Sequence, residues 1–171
     1  EIRCFIMAMA EKEIKVGIGD MKFARGDSVV ITYALGSCIG ITFYDPLIKL
    51  GGLLHVMLPA RVDPNDPKVF KYADSGIRET LRKLTAFGLV KSRTVVKIAG
   101  GAKMFEMKGS GNSDFGNIGV RNATMVKRVL MDERLRIVAE DIGGSYARTM
   151  LINVSNGDVI IRTVGKPEKH L

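Results

Sequence analysis

The sequence predicts an α+β fold, with largely antiparallel or mixed β-sheets backed by two helices. Three observations point there. Short alternating or β-branched runs, bounded by Gly and Pro, occupy most of the chain. Only two windows repeat apolar residues at helical spacing, and both come after the first four strands. An Asn156-Gly157 pair sits between two apolar runs near the end, a strong short-range hairpin signal. This order is not the regular strand–helix alternation of a doubly wound parallel sheet.

The elements follow in order. Ile14 to Gly19 alternates and reads as a strand; Ser28 to Tyr33 is a β-branched run and reads as a second. Cys38 to Tyr44 is a third, and Asp45-Pro46 starts a turn, with proline suited to the second turn position. Leu50 to Leu58 returns as a fourth strand, stopped by Pro59; Pro59, Pro64 and Pro67 mark a surface loop. A helix follows from about Asp74 to Phe87: Ala73, Ile77, Leu81 and Leu84 share one face, and Gly88 sits where a C-terminal cap belongs. Thr94 to Ala99 reads as a buried strand running into Gly100-Gly101, and residues 108–117 read as a flexible loop. The second helix spans about Val120 to Glu133, with Val120, Ala123, Val126, Val129 and Leu130 among its apolar positions. Ile137 to Glu140 is a short strand ending at Gly143-Gly144, and the runs Thr149–Val154 and Val159–Val164 flank the Asn156-Gly157 turn.

With 171 residues, one domain is the simplest organisation, here residues 14–164, and it is long enough to bury a core without staples. Residues 1–13 read as a loosely ordered leader and 165–171 as a polar tail. Arg3 followed by Cys4 to Ala10 has the outline of a minimal signal peptide, but the apolar stretch is short, and a cytoplasmic protein is expected. At 46% hydrophobic and 26% charged residues, disorder does not describe the chain. No apolar run is long enough to span a bilayer as a helix, so no membrane insertion is expected. Two cysteines cannot make a disulfide framework.

The net charge of +8 is regional. Residues 61–110 carry 11 basic and 5 acidic side chains, whereas residues 1–60 carry 6 of each. An acidic partner suits that excess. Nucleic acid is not expected, because the 11 aromatic residues do not interleave the basic ones.

The most informative constellation is Cys38 with His55. A hairpin turning at Asp45-Pro46-Leu47-Ile48 would set them directly opposite each other, within thiol–imidazole contact. A thiolate is a nucleophile and a neighbouring imidazole activates it. Leu35-Gly36-Ser37 before Cys38 allows a sharp turn, so N–H groups around Gly36, Ser37 and Cys38 are candidates for holding an oxyanion. No acid stands out to orient the imidazole; the Thr32 hydroxyl is a candidate. The bland alternative is a buried Cys acting as a small hydrophobe beside a satisfied core His. Ser37 is a weaker nucleophile candidate, since no G-x-S-x-G elbow or strand-to-helix turn surrounds it. A zinc site from Cys4, Cys38, His55 and His170 lacks ligand spacing. Neither glycine pair forms a phosphate-binding pattern.

At Leu35-Gly36-Ser37-Cys38 and His55-Val56-Met57-Leu58-Pro59 the chain resembles the CheD family, the chemoreceptor glutamine deamidases of bacterial and archaeal chemotaxis. Further matches are Lys71-Tyr72-Ala73-Asp74, Lys97 to Ala102 with Met104-Phe105, and Asn117-Ile118-Gly119 with Arg121-Asn122. Ala139-Glu140-Asp141, Gly143-Gly144 and Arg148 complete the series, in the family's order across residues 14–164. The resemblance implies a sandwich of packed sheets with flanking helices, related to the catalytic domains of deamidating toxins. It implies hydrolysis of receptor glutamine side chains to glutamate, with Cys38 as nucleophile, His55 as base and acid, Thr32 as orienting hydroxyl, and no metal or cofactor. Implied partners are methyl-accepting chemoreceptors and, in many members, a CheC-type phosphatase of the response regulator. Some members are also credited with receptor methylesterase activity. The competing expectation is a non-catalytic regulatory partner of such a phosphatase. Residues 1–13 have no counterpart in the family pattern, and the Gly- and Ser-rich loop at 109–116 has no assigned role.

Overall fold

The computed structural model describes residues 12–104 and 117–171. In chain order its strands and helices are β1 (Lys12–Lys15), β2 (Asp20–Arg25), β3 (Ser28–Leu35), β4 (Ile39–Asp45), β5 (Leu50–Val56), α1 (Ala73–Ala86), β6 (Val95–Gly100), α2 (Ile118–Asp132), β7 (Ile137–Ile142), β8 (Arg148–Asn153), β9 (Asp158–Arg162) and β10 (Lys169–His170). They form two five-stranded sheets, ordered β1-β3-β8-β9-β10 and β2-β5-β4-β6-β7. Each sheet is antiparallel apart from one parallel pair, β1 with β3 and β6 with β7. The α+β expectation of mixed sheets with two helices holds.

The layers follow from strand alternation. β4 and β5 are buried along their whole length, as central strands covered on both faces must be. Ile39, Ile41, Phe43, Leu54 and Val56 point to one side, where Ile77, Leu81 and Leu84 of α1 and Val126, Val129 and Leu130 of α2 cover them. The intervening residues point to the other sheet: Tyr44 and Leu53 pack with Val30, Leu35, Met150, Ile152 and Ile161. Helices, sheet and second sheet thus stack in that order, and Cys38 belongs to the inter-sheet layer.

The structure adds β2, to which the sequence reading gave no strand, and moves the first strand: β1 ends at Lys15, and Val16 then donates its N–H to the Ile31 carbonyl. The Asn156-Gly157 turn becomes a four-residue connection. Asn153 pairs with Asp158, Gly157 alone takes the left-handed conformation (φ 78°), and the Asn153 Oδ1 accepts from the Ser155 N–H. At the chain's end β10 pairs with β9, and the Lys97 ammonium donates to the Leu171 carbonyl. The loop predicted at 108–117 lies outside the described residues except for Asn117, which precedes α2. Among the described residues no helix is long and apolar enough to cross a membrane.

Candidate active site

The register of β4 against β5 decides where Cys38 and His55 meet. Asp45 pairs with Leu50 and Gly40 with His55, so the connection spans residues 46–49 rather than turning tightly at Pro46-Leu47. Lys49 takes a left-handed conformation (φ 48°) to close it. Direct opposition of Cys38 and His55 is therefore corrected: His55 faces Gly40, and Cys38 sits one diagonal step away. The shift is two residues, and side chains alternate with a period of two, so both stay on the same face. Diagonal neighbours are farther apart than opposed ones, and no hydrogen bond joins the Cys38 sulfur to His55 Nε2 in this structure.

Thr32 reaches His55 from the other sheet. Its Oγ1 lies 2.6 Å from His55 Nδ1 and donates its proton to the Val16 carbonyl at 2.8 Å. A hydroxyl has one proton, so toward the imidazole Thr32 accepts. That assigns the His55 proton to Nδ1 and leaves Nε2 with a free lone pair. Nε2 is buried and has no hydrogen-bond partner among the described residues. The backbone of β3 makes this reach possible. Thr32 pairs with Met150 and Leu35 with Arg148, so one extra residue bulges out between them, with Ala34 at φ 57°. Thr32 and Leu35 are an odd number of residues apart and would face opposite sides of a regular strand; the bulge turns both inward while Tyr33 and Ala34 face solvent.

Cys38 ends a turn, Gly36-Ser37-Cys38, that joins β3 to β4. Three successive carbonyls of this turn are held. That of Gly36 accepts from the Ala102 N–H and that of Cys38 from the Gly101 N–H, both at 2.9 Å. That of Ser37 accepts from the Asn122 side-chain amide at 2.9 Å. Gly100 must be glycine: its φ is 115°, and a side chain there would collide with the Cys38 carbonyl. The Gly36 N–H is engaged with the Ala34 carbonyl at 3.0 Å, whereas those of Ser37 and Cys38 are given to no backbone carbonyl among the described residues.

The environment keeps the pair uncharged. Burial pushes the Cys38 thiol up, opposed by a hydrogen bond from its own N–H. Burial pulls the His55 imidazole down to about 4. At neutral pH the resting site therefore holds a thiol and a neutral imidazole. Around its mouth stand exposed apolar side chains: Ile18 and Met57 line a recess with Lys68 and Lys71, and Met104 lies over Gly36. Of the weaker zinc ligands, His170 pairs instead with Asp158 at the far edge of the other sheet, and Cys4 lies outside the described residues.

Sequence reasoning singled out Cys38, His55, Thr32, Gly36 and Ser37, and all five lie at this corner. It did not single out Asn122 for a role in the site. The signal was present: Gly119, Asn122, Ala123, Val126, Val129 and Leu130 form the buried face of α2, and Asn122 is the polar member of that face.

Residues 57–163 match the family described as CheD chemotactic sensory transduction. A protein of Desulforamulus reducens named "Probable chemoreceptor glutamine deamidase CheD" is 44% identical over 164 residues, covering 95% of this chain and 98% of its own. One of the same name from Moorella thermoacetica is 44% identical over 159 residues, 92% of this chain and 95% of its own. Another, from Symbiobacterium thermophilum, is 38% identical over 167 residues, 95% of this chain and the whole of its own. Matched at this identity over nearly its full length, the chain belongs to the CheD family.

Proposed function

We propose that the protein is a chemoreceptor glutamine deamidase, hydrolysing receptor glutamine side chains to glutamate through the Cys38 thiol. The observation that carries this is the Thr32–His55 contact, which leaves a buried, unpartnered Nε2 on the face that Cys38 shares. His55 Nε2 takes the thiol proton as sulfur attacks the glutamine Cδ. Because both free groups are neutral, proton transfer and C–S bond formation proceed together rather than from a standing thiolate. The carbonyl oxygen becomes an oxyanion, for which the N–H groups of Ser37 and Cys38 are the donors. The imidazolium returns its proton to the amide nitrogen and ammonia leaves. Water then attacks the thioester, with His55 taking its proton and giving it back to sulfur. One water is consumed, and one glutamate and one ammonia are made.

The substrate class rests on the relatives, which are named for receptor deamidation. The apolar rim of Ile18, Met57 and Met104, flanked by Lys68 and Lys71, suits an amphipathic acidic helix of a methyl-accepting receptor. A cytoplasmic location and a CheC-type phosphatase as second partner are further parts of this reading. Both rest on the family; a pull-down with that phosphatase tests the second. The central experiment incubates the protein with a receptor cytoplasmic fragment and maps peptides by mass. Amide-to-acid conversion at defined glutamines, absent with Cys38→Ala, is the expected result. An unmodified receptor, with ammonia never released, would refute the activity.

A further inference from the structure

We propose that Asn122 is a positioning residue for the reaction: its side-chain amide aims the Cys38 N–H at the oxyanion. This rests on the thiol mechanism proposed above.

Asn122 is completely buried in the first turns of α2. Its Nδ2 donates to the Ser37 carbonyl at 2.9 Å and to the Met57 carbonyl at 3.0 Å. Both acceptors are carbonyl oxygens, so the atom between them is the amide nitrogen, using both of its protons. The two carbonyls belong to opposite halves of the site. Ser37 precedes the nucleophile, and Met57 follows His55 by two residues. The β4–β5 ladder has just ended there: its last pair is Ile39 with Val56. One side chain thus takes over where backbone pairing stops, holding the strand of the thiol to the strand of the base.

The consequence for catalysis follows from peptide geometry. A peptide unit is planar and trans, so its C=O and N–H point in opposite directions. The peptide joining Ser37 to Cys38 has its carbonyl turned toward Asn122, which turns the Cys38 N–H away from α2. That N–H is given to no backbone carbonyl among the described residues, so it stays available for the oxyanion of the tetrahedral intermediate. The two flanking peptides are held by backbone donors, Ala102 and Gly101. The central one, which carries the Cys38 N–H, depends on a side chain. α2 comes close enough because Gly119 lies against the Gly101–Ala102 segment, where a Cβ would sit 2.6 Å from both carbonyl oxygens.

The test compares two reactions of the same thiol. Deamidation develops an oxyanion; alkylation by iodoacetamide displaces iodide and develops none. Asn122→Ala should lower kcat for a receptor fragment about 100-fold, the usual loss for an oxyanion donor. KM should change less than about threefold, since ground-state docking is untouched. Alkylation of Cys38 should likewise keep its rate within about threefold, since it needs the thiol and His55 but no oxyanion donor. Equal losses in both reactions would reduce Asn122 to a structural strut, and an undiminished kcat would overturn its role outright. Should Asn122→Ala not fold, Asn122→Asp keeps the shape and offers a donor only when protonated. Its activity relative to wild type should rise as pH falls, and a flat ratio overturns the proposal. Absence of turnover in the wild-type protein would instead defeat the deamidase reading, so the two failures are distinguishable.

Discussion

The β4–β5 hairpin has two ends, and each buries polar side chains. At the closed end Asp45 is fully buried, and its oxygens accept from the Leu47 N–H at 3.2 Å, the Val90 N–H at 3.1 Å and Arg93 Nε at 2.6 Å. At the open end Thr32, His55 and Asn122 are equally buried, yet His55 Nε2 and Asn122 Oδ1 find no partner among the described residues. An unsatisfied buried polar atom costs about 1–3 kcal/mol. The closed end spends its hydrogen-bonding capacity on the fold; the open end withholds part of it. Burial of polar groups is thus common to both ends, and unspent capacity distinguishes them. That criterion needs a nucleophile beside it, since Thr80 Oγ1 on α1 is also unpartnered with no reactive group to serve.

Exchanging activity against stability at the two ends breaks this comparison most directly. Cys38→Ala should abolish deamidation, by at least about 10⁴-fold, and leave stability within about 1 kcal/mol. His55→Ala should approach that loss, and the double variant should be no worse than either alone, because the two groups act as one unit. Multiplying penalties in the double variant would show independent action. Asp45→Ala should do the reverse. It strands Arg93 and two N–H donors, costing about 2–4 kcal/mol by urea titration, while kcat per folded molecule stays near wild type. A large fall in kcat at constant stability would erase the distinction between the ends.

Thr32→Val sharpens it. The change keeps shape and removes the acceptor that holds the proton on Nδ1, so it should reduce kcat about 10- to 100-fold, less than His55→Ala. Acid separates the ends further. Unfolded, His55 titrates near 6.5; folded, at about 4. Between these values the unfolded chain holds the extra proton, so stability falls as pH drops through that window, by about 3 kcal/mol in all. Above it the group has no further effect. Asp45 behaves differently: burial would raise its carboxyl, but the bonds from Arg93, Val90 and Leu47 outweigh that and hold it below the ordinary value. Its contribution persists until pH falls below the usual carboxylate range. Urea midpoints at pH 7 and pH 5 should therefore differ for wild type and converge for His55→Ala. The acid limb of kcat/KM should lie near pH 4, and a limb at 6.5 would contradict a buried neutral base.

The same contrast explains what the sequence disclosed. The hairpin was legible because Asp45-Pro46 punctuates two apolar runs, and it brought Cys38 and His55 to one face. Their register was not legible, because the length of the connection depends on Lys49 adopting a left-handed conformation that its residue type does not advertise. β2 escaped because Asp20, Lys22 and Arg25 mask its Met21–Phe23 alternation on an edge strand. β10, two residues long, carries no periodicity. Thr32 could be proposed as a hydroxyl near the site, but its inward aim rests on a bulge opposite β8, more than a hundred residues away in sequence. Long-range pairing of that kind leaves no local pattern.

The smallest expected effect concerns how a substrate approaches the open end. The excess charge of residues 61–110 includes Lys68, Lys71, Arg78, Arg82 and Lys83, any of which could meet an acidic partner. In the structure Arg82 is paired with Glu79 at 2.6 Å, and Arg78 lies 3.4 Å from Glu133, a carboxylate it shares with Lys91 at 2.7 Å, so both arginines are already engaged on the protein's own surface. Lys68 and Lys71 have no salt bridge among the described residues, and they line the recess that Ile18 and Met57 share beside the His55 strand. At the closed end Asp45 and Arg93 satisfy each other. Steering by exposed charge is long-range and is screened beyond about 8 Å at physiological ionic strength. It should therefore appear in kcat/KM and not in kcat. Lys68→Gln with Lys71→Gln should lower kcat/KM on a receptor fragment a few-fold at low salt and flatten its salt dependence. Arg78→Gln with Arg82→Gln should leave both almost unchanged. If the arginine pair flattens the salt slope and the lysine pair does not, the receptor docks along α1 and not at the open end of the hairpin.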